Sequence, residues 1–332
     1  MVKHFKIVFL ILGVSLVGLQ AAMADPAQWK KEGWDKTDFS KSIIDFGQIF
    51  SGGPPKDGIP SLDDPKFHRV NDEKDLGPDE PVIGLEINGD ARGYPVRILM
   101  WHEIVNDTVG GVPVAVTYCP LCNTSIVFKR ELDGRLLDFG TTGKLRFSDL
   151  VMYDRQTESW WQQFTGKAIV GQMTGKVLTP VPSRLESFAQ FKKRFPNGKV
   201  LAVDKRFDRS YGLNPYVNYD SSKAPFLYRG DMPEGIPPMA RVVAFKSEGE
   251  FYAVSLALLR EMGSMTMGQV RLQWRKGQNS ALDSSMIKKG RDVGNVIVQK
   301  MVSDMAIDIR YEVTFAFAFH AFHPERPIKT SR

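Results

Sequence analysis

The chain has 332 residues with 44 Lys and Arg against 38 Asp and Glu, a formal charge of +6. That is length for two domains or one large one, with a core that needs no disulfide stapling. The excess charge is mild and no basic run exceeds three residues, so the composition argues against nucleic acid as a partner.

The first residues read as a secretory leader. Lys3 and Lys6 precede an apolar run over 7–19, and Ala22-Met23-Ala24 places small residues where a signal peptidase reads. Cleavage is expected before Asp25, leaving an exported protein, periplasmic or secreted, with no membrane contact after removal of residues 1–24. The apolar run is too short to span a bilayer comfortably, and no later segment reaches ~18 apolar residues.

Residues 25–79 are rich in Gly, Pro and charge and read as an extended arm with one short helix near 41–49. The ordered body begins at Pro81. Runs at 82–87 and 91–96 are β-rich and meet at Asn88-Gly89-Asp90, a hairpin signal. A helix is expected over 98–106. Strands follow at 113–118, 125–131 and 135–139, the last two joined across Asp133-Gly134. More strands are expected at 149–155, 159–164 and 167–170. A helix over 185–195, with Ser183 as a cap, stops at Pro196.

Strand after strand with hairpin turns predicts an α+β, β-dominated body, mostly antiparallel, with a few helices. Residues 80–220 form the β-rich core. Residues 221–332 read as a smaller second half and a degenerate internal duplication of the first. Val82-Ile83-Gly84 and Gly89 to Leu99 echo Val242-Val243-Ala244 and Gly249 to Leu258, and Phe188, Phe191 and Phe195-Pro196 echo Phe315, Phe319 and Phe322-His323-Pro324.

Cys119-Pro120-Leu121-Cys122 holds the only two cysteines. Two thiols three positions apart can form a structural disulfide, exchange disulfides or clamp a thiophilic metal. The closed loop would be too short to restrict the unfolded chain much. Residues 124–131 are rich in β-branched side chains, so the helix that lowers the first thiol's pKa in thioredoxin-like chemistry is missing. The metal reading comes first, copper ahead of zinc, with the redox and disulfide readings open beside it.

His102 is the natural third ligand, at the edge of an apolar stripe and followed by Glu103. Of the other histidines, His4 lies in the leader and His68 in the arm. His320 and His323 share a helical face and are weaker metal candidates, as is Met152. In a strand, Asp149, Val151, Tyr153 and Arg155 share one face and Leu150, Met152 and Asp154 the other. Glu103, Asp154 and Arg155 are candidates for a catalytic or substrate-orienting role; a salt bridge between Asp154 and Arg155 that holds the following turn is the alternative for that pair. A loop dense in aromatics, from Arg209 to Tyr219, is placed to cover a site. No phosphate-cradling Gly loop appears, so no nucleotide cofactor is expected.

Trp101-His102-Glu103-Ile104-Val105-Asn106-Asp107, Val116-Thr117-Tyr118-Cys119-Pro120-Leu121-Cys122 and Ser148-Asp149-Leu150-Val151-Met152-Tyr153-Asp154-Arg155-Gln156-Thr157-Glu158-Ser159 carry a resemblance. They resemble domain-of-unknown-function family 3179, from about residue 59 to 219 and more weakly to about 327. The resemblance implies an exported bacterial protein and carries no activity. Asn123 stands where the family pattern has a small residue, often Gly, and Trp160-Trp161 where it has Leu before Trp. The residues themselves support an exported soft-metal protein, or a metal-dependent oxidoreductase, taking its metal from a donor or passing it to an acceptor protein, or acting on a small molecule. A metal-free thiol–disulfide oxidoreductase and a ligand-binding module with a structural disulfide are the alternatives.

Overall fold

Asn88 and Gly89 both adopt left-handed backbone, with φ of 50° and 82°. That is the geometry of a tight hairpin turn, and it joins Pro81–Ile87 to Asp90–Pro95 in antiparallel register. Asp133-Gly134 makes the same turn in a two-stranded ribbon, Glu131–Leu132 with Arg135–Leu136. The computed structural model describes residues 25–303 and 305–332. The expected leader, residues 1–24, lies outside the described residues.

Repeated hairpins build five sheets of four or five strands each, mostly antiparallel, arranged as a five-bladed propeller-like ring. Strand accounts for 40% of the chain and helix for 15%, so the body is β-dominated as its turn chemistry predicts. The ring goes beyond that expectation, because the packing of one sheet on the next has no local sequence signature. No helix among the described residues is long and apolar enough to cross a membrane.

Two sheets position the site. The thiol sheet runs in the order Pro180–Val181, Thr124–Lys129, Val112–Cys119, Ile104–Val109, Leu62–Asp63. The aspartate sheet runs Ile49–Ser51, Phe139–Arg146, Asp149–Asp154, Trp160–Gln162, Lys167–Val170. The helix expected over 98–106 is shorter, Val96–His102. Glu103 breaks it at φ 57°, and the β-branched residues beyond enter the strand Ile104–Val109. The helix expected over 185–195 is also trimmed, to Phe188–Arg194. Ser187 caps it by accepting from Gln190 N–H, and Ser183 does not, because Arg184–Ser187 is a strand.

The halves share a topology. In the first, Arg184–Ser187, Pro81–Ile87, Asp90–Pro95 and Lys199–Leu201 are neighbours in that order. In the second, Tyr311–Phe315, Arg241–Ser247, Glu250–Ser255 and Ile328–Lys329 are neighbours in the same order. In both, two antiparallel pairings are followed by a parallel one. Seven-residue helices recur in step: Val96–His102 with Leu256–Met262, and Phe188–Arg194 with Ala316–Phe322.

The N-terminal arm is woven into the sheets. Ile49–Ser51, Leu62–Asp63 and Phe67–Arg69 each form the outer strand of a different sheet. Trp29 and Trp34 pack their rings 4.9 and 5.2 Å from Trp160, in a cluster separate from the main core.

Candidate metal centre

The strand Val112–Cys119 ends at the first thiol, and Thr124–Lys129 returns antiparallel beside it with Cys119 opposite Thr124. Cys119-Pro120-Leu121-Cys122 is therefore the tip of a hairpin, turned inward. Asn123 closes the turn at φ 53°, a left-handed conformation that Asn tolerates better than most residues. Both cysteines are buried and carry free thiols.

The turn is seated on the second half of the chain. Asn123 Nδ2 donates to Val313 O at 2.7 Å. Cys122 O accepts from Phe315 N at 3.2 Å and from Thr314 Oγ1 at 2.9 Å. The aromatic loop adds Tyr219, whose hydroxyl donates to Leu121 O at 3.1 Å.

Asp149 completes the group. One ligand atom from each of Cys119, Cys122 and Asp149 lies within 4.8 Å of the others, and all three residues are buried. Phe147 and Ser148 turn the chain into the strand Asp149–Asp154 at φ 54° and 61°. Ser148 O accepts from Cys122 Sγ at 3.3 Å. Asp149 Oδ2 accepts from Gln162 Nε2 at 2.6 Å and Phe164 N at 2.9 Å, while Oδ1 has no partner among the described residues.

Burial decides the electrostatics, because each acid here loses hydration when it ionises. It pushes both thiols up, Cys122 furthest. It raises Asp149 to about 6 against the hydrogen bonds from Phe164 and Gln162. It raises Glu103 to about 8, with the Asp149 charge adding to the effect. Cys119, Cys122 and Asp149 thus share a dry space in which their anions are unfavourable, and a bound cation would reverse that balance.

His102 is not in the group. It ends the helix Val96–His102, and both ring nitrogens are engaged elsewhere. Nδ1 donates to Pro60 O at 2.8 Å, which leaves Nε2 to accept from the Tyr211 hydroxyl at 2.7 Å. Burial lowers its pKa. Glu103, one residue on, is also buried; burial and the Asp149 charge raise its pKa, and its own charge helps raise that of Cys119.

The other candidates are spread over the fold. Asp154 accepts from Thr157 N and Oγ1 and from Trp161 Nε1, at 2.6 to 2.9 Å, which ties down its own turn. Arg155 pairs with Asp63 at 2.8 Å and Ser61 Oγ at 2.7 Å, so its partner is in the arm and not the adjacent Asp154. Met152 is buried in the main core. His323 stacks on Phe251 with ring centres 3.9 Å apart. His320 lies on the helix Ala316–Phe322, partly exposed.

Asp149 is the residue that sequence reasoning passed over. It lies 27 positions from Cys122 on another sheet, and its only local signal is an acid opening a run of apolar strand residues. The donor set, two sulfurs and a carboxylate oxygen, is one that thiophilic divalent metals accept.

No curated protein and no solved structure matches the chain. The family model described as protein of unknown function (DUF3179) matches residues 56–326, most of the chain including every residue of the centre, and the chain belongs to that family.

Proposed function

We propose that this is an exported metal-handling protein in which Cys119, Cys122 and Asp149 hold one thiophilic cation. The convergence of the two sulfurs and a carboxylate oxygen within 4.8 Å carries the reading. The unpartnered Asp149 Oδ1 supports it, since a buried anionic oxygen without a donor is costly unless a cation sits beside it.

The sequence alone puts copper ahead of zinc. A carboxylate as third donor reverses that order. Cu(I) favours sulfur and imidazole, whereas Zn(II) takes sulfur and carboxylate oxygen together. A metal bound here would be shielded by the loop carrying Tyr219, which suits retention and transfer through a donor or acceptor protein. It would also protect the thiols in an oxidising compartment.

The test is elemental analysis of protein purified from the exported fraction without chelator, with the thiols titrated alongside. One zinc or copper per chain is expected, with thiols that react only after chelation. Protein that holds no metal, and takes up none after reduction and titration with zinc or copper, would overturn the reading.

One observation favours a metal-free thiol–disulfide exchanger as the second reading. A carboxylate oxygen of Asp149 lies within 4.8 Å of both sulfurs and could accept a proton from the sulfur that attacks. In that case the protein would be metal-free, its disulfide would be readily reduced, and Cys119→Ser would trap a mixed disulfide with a partner.

A further inference from the structure

The backbone carbonyl of Ser148 touches both sulfurs. Its oxygen accepts from Cys122 Sγ at 3.3 Å and from Cys119 Sγ at 3.9 Å, and the next residue, Asp149, supplies the carboxylate of the group. A tetrahedral ion that holds sulfur at about 2.3 Å and oxygen at about 2.0 Å sets the two about 3.5 Å apart. The separations from Ser148 O bracket that value, so the oxygen already stands at ligand spacing from both thiols.

The turn that carries it is an unusual one. Phe147 and Ser148 join Phe139–Arg146 to Asp149–Asp154, with φ of 54° and 61°. A two-residue turn with both residues left-handed ordinarily takes Asn-Gly or Asp-Gly, and neither Phe nor Ser suits it. Ser148 is also fully buried, although loop tips belong on the surface. The turn thus delivers a carbonyl to the interior at a local cost.

The protons give a second argument. Cysteine binds a metal as thiolate, so both S–H protons leave when the ion enters. Ser148 O then loses both sulfur donors and faces two anions, and no other donor outside the strand ladders reaches it among the described residues. A buried carbonyl in that position is unfavourable unless the cation takes the place of the protons. Charge agrees. Two thiolates and Asp149 already set three negative charges around the ion, and a neutral carbonyl completes the shell without adding a fourth to a dry site.

We propose that Ser148 O is the fourth donor of the centre. Two sulfurs from one hairpin and two oxygens from its neighbour then close a tetrahedron around one divalent, thiophilic cation. This rests on the reading that the centre holds a metal, and it deepens it. Four protein ligands are the mark of a site that retains its ion, whereas a catalytic zinc keeps one position open for water or substrate. The closed shell holds or hands on the ion and leaves no position on it for a substrate.

The test follows the Ser148 carbonyl carbon by NMR, read through the Asp149 amide, in the full mature chain, reduced, freed of metal and titrated with Zn(II). A cation on the oxygen withdraws electrons and moves the signal downfield. Loss of the two S–H donors with nothing in their place moves it upfield. A downfield shift that saturates at one Zn(II) per chain is expected. An upfield shift, or none, at a saturated site would overturn the fourth-donor role and leave the three-ligand metal reading standing. Co(II) gives a second readout: wild type should show the intense visible bands of four-coordinate cobalt and no relaxation of solvent protons by a cobalt-bound water, and such a water would overturn the role. Ser148→Ala removes the hydroxyl and keeps the carbonyl, so it should bind both ions as wild type does. A loss of about tenfold or more in that variant would move the role to the hydroxyl and overturn the inference. Wild type that binds neither Co(II) nor Zn(II) would remove the metal reading itself and this inference with it.

Discussion

Asn123 donates its side-chain amide to the carbonyl of Val313 at 2.7 Å, and the two residues belong to different halves of the chain. The half that carries no thiols therefore sets the position of the turn that does. Asn123→Ala leaves a buried carbonyl without a donor and replaces asparagine, which tolerates left-handed backbone, with a residue that tolerates it less. A loss of about 1–3 kcal/mol is expected for the hydrogen bond alone. Asn123→Gly should recover the backbone part and not the hydrogen bond. Chemical denaturation of the three proteins checks the order.

Cys119→Ser should abolish metal content. With metal supplied at ~1,000 times its Kd, wild type gains about 4 kcal/mol that the variant cannot. The two should melt at closely similar temperatures once chelator is present. Melting curves with zinc and with chelator separate this from a structural disulfide, for which chelator would change nothing.

His102 makes the opposite expectation. Both of its nitrogens serve Pro60 and Tyr211, so His102→Asn should leave metal stoichiometry at the wild-type value. It should lower the melting temperature by freeing Tyr211 and stranding the Pro60 carbonyl. Elemental analysis of the variant reads the first point and calorimetry the second.

Acid should weaken the fold through His323. Its ring lies against Phe251, and burial lowers its pKa from 6.5 to about 4. The unfolded chain therefore takes up a proton before the folded one does. The stabilising contribution is whole above about pH 6.5 and is withdrawn as pH falls toward 4. His323→Phe keeps the stacking and removes the proton site, so its melting temperature should fall less steeply over that window. His102, also lowered, leaves part of the slope in place.

Trp34→Ala should cost about 3–5 kcal/mol, the range for emptying a buried tryptophan site. Trp34 is fully buried against Tyr153 and Trp160. An arm that merely trailed from the body would lose nothing measurable. Denaturant midpoints of the variant and wild type decide it.

Local chemistry made much of this readable in advance. Asn88-Gly89 and Asp133-Gly134 mark their hairpins because few other residues accept left-handed backbone at those points. The cysteine pair identified itself by spacing, and the echo around Gly89 and Gly249 falls on hairpins that occupy matching places in two sheets. What stayed hidden depends on pairings between distant segments. Asp149 meets the thiols because two sheets abut, and nothing near residue 149 encodes that. The helix Val96–His102 was read too long because Glu103 is a good helix former by propensity and is held in a helix-breaking conformation by its surroundings. His102 drew attention by its rarity, yet its partners, Pro60 and Tyr211, come from the arm and from a loop more than a hundred residues away.

The weaving of the arm bears on how the chain is made. Phe67–Arg69 pairs with Lys199–Leu201, so the arm strand leaves the ribosome some 130 residues before its partner exists. Ile49–Ser51 waits in the same way for Phe139–Arg146. Through that interval the aromatic side chains of the arm have no sheet to rest on, and the outer edges of three sheets stay unfinished. Assembly then runs against the order of synthesis: the arm, made before the strands it pairs with, is among the last parts to be locked, and any chaperone that meets the nascent chain finds the arm's tryptophans in the open.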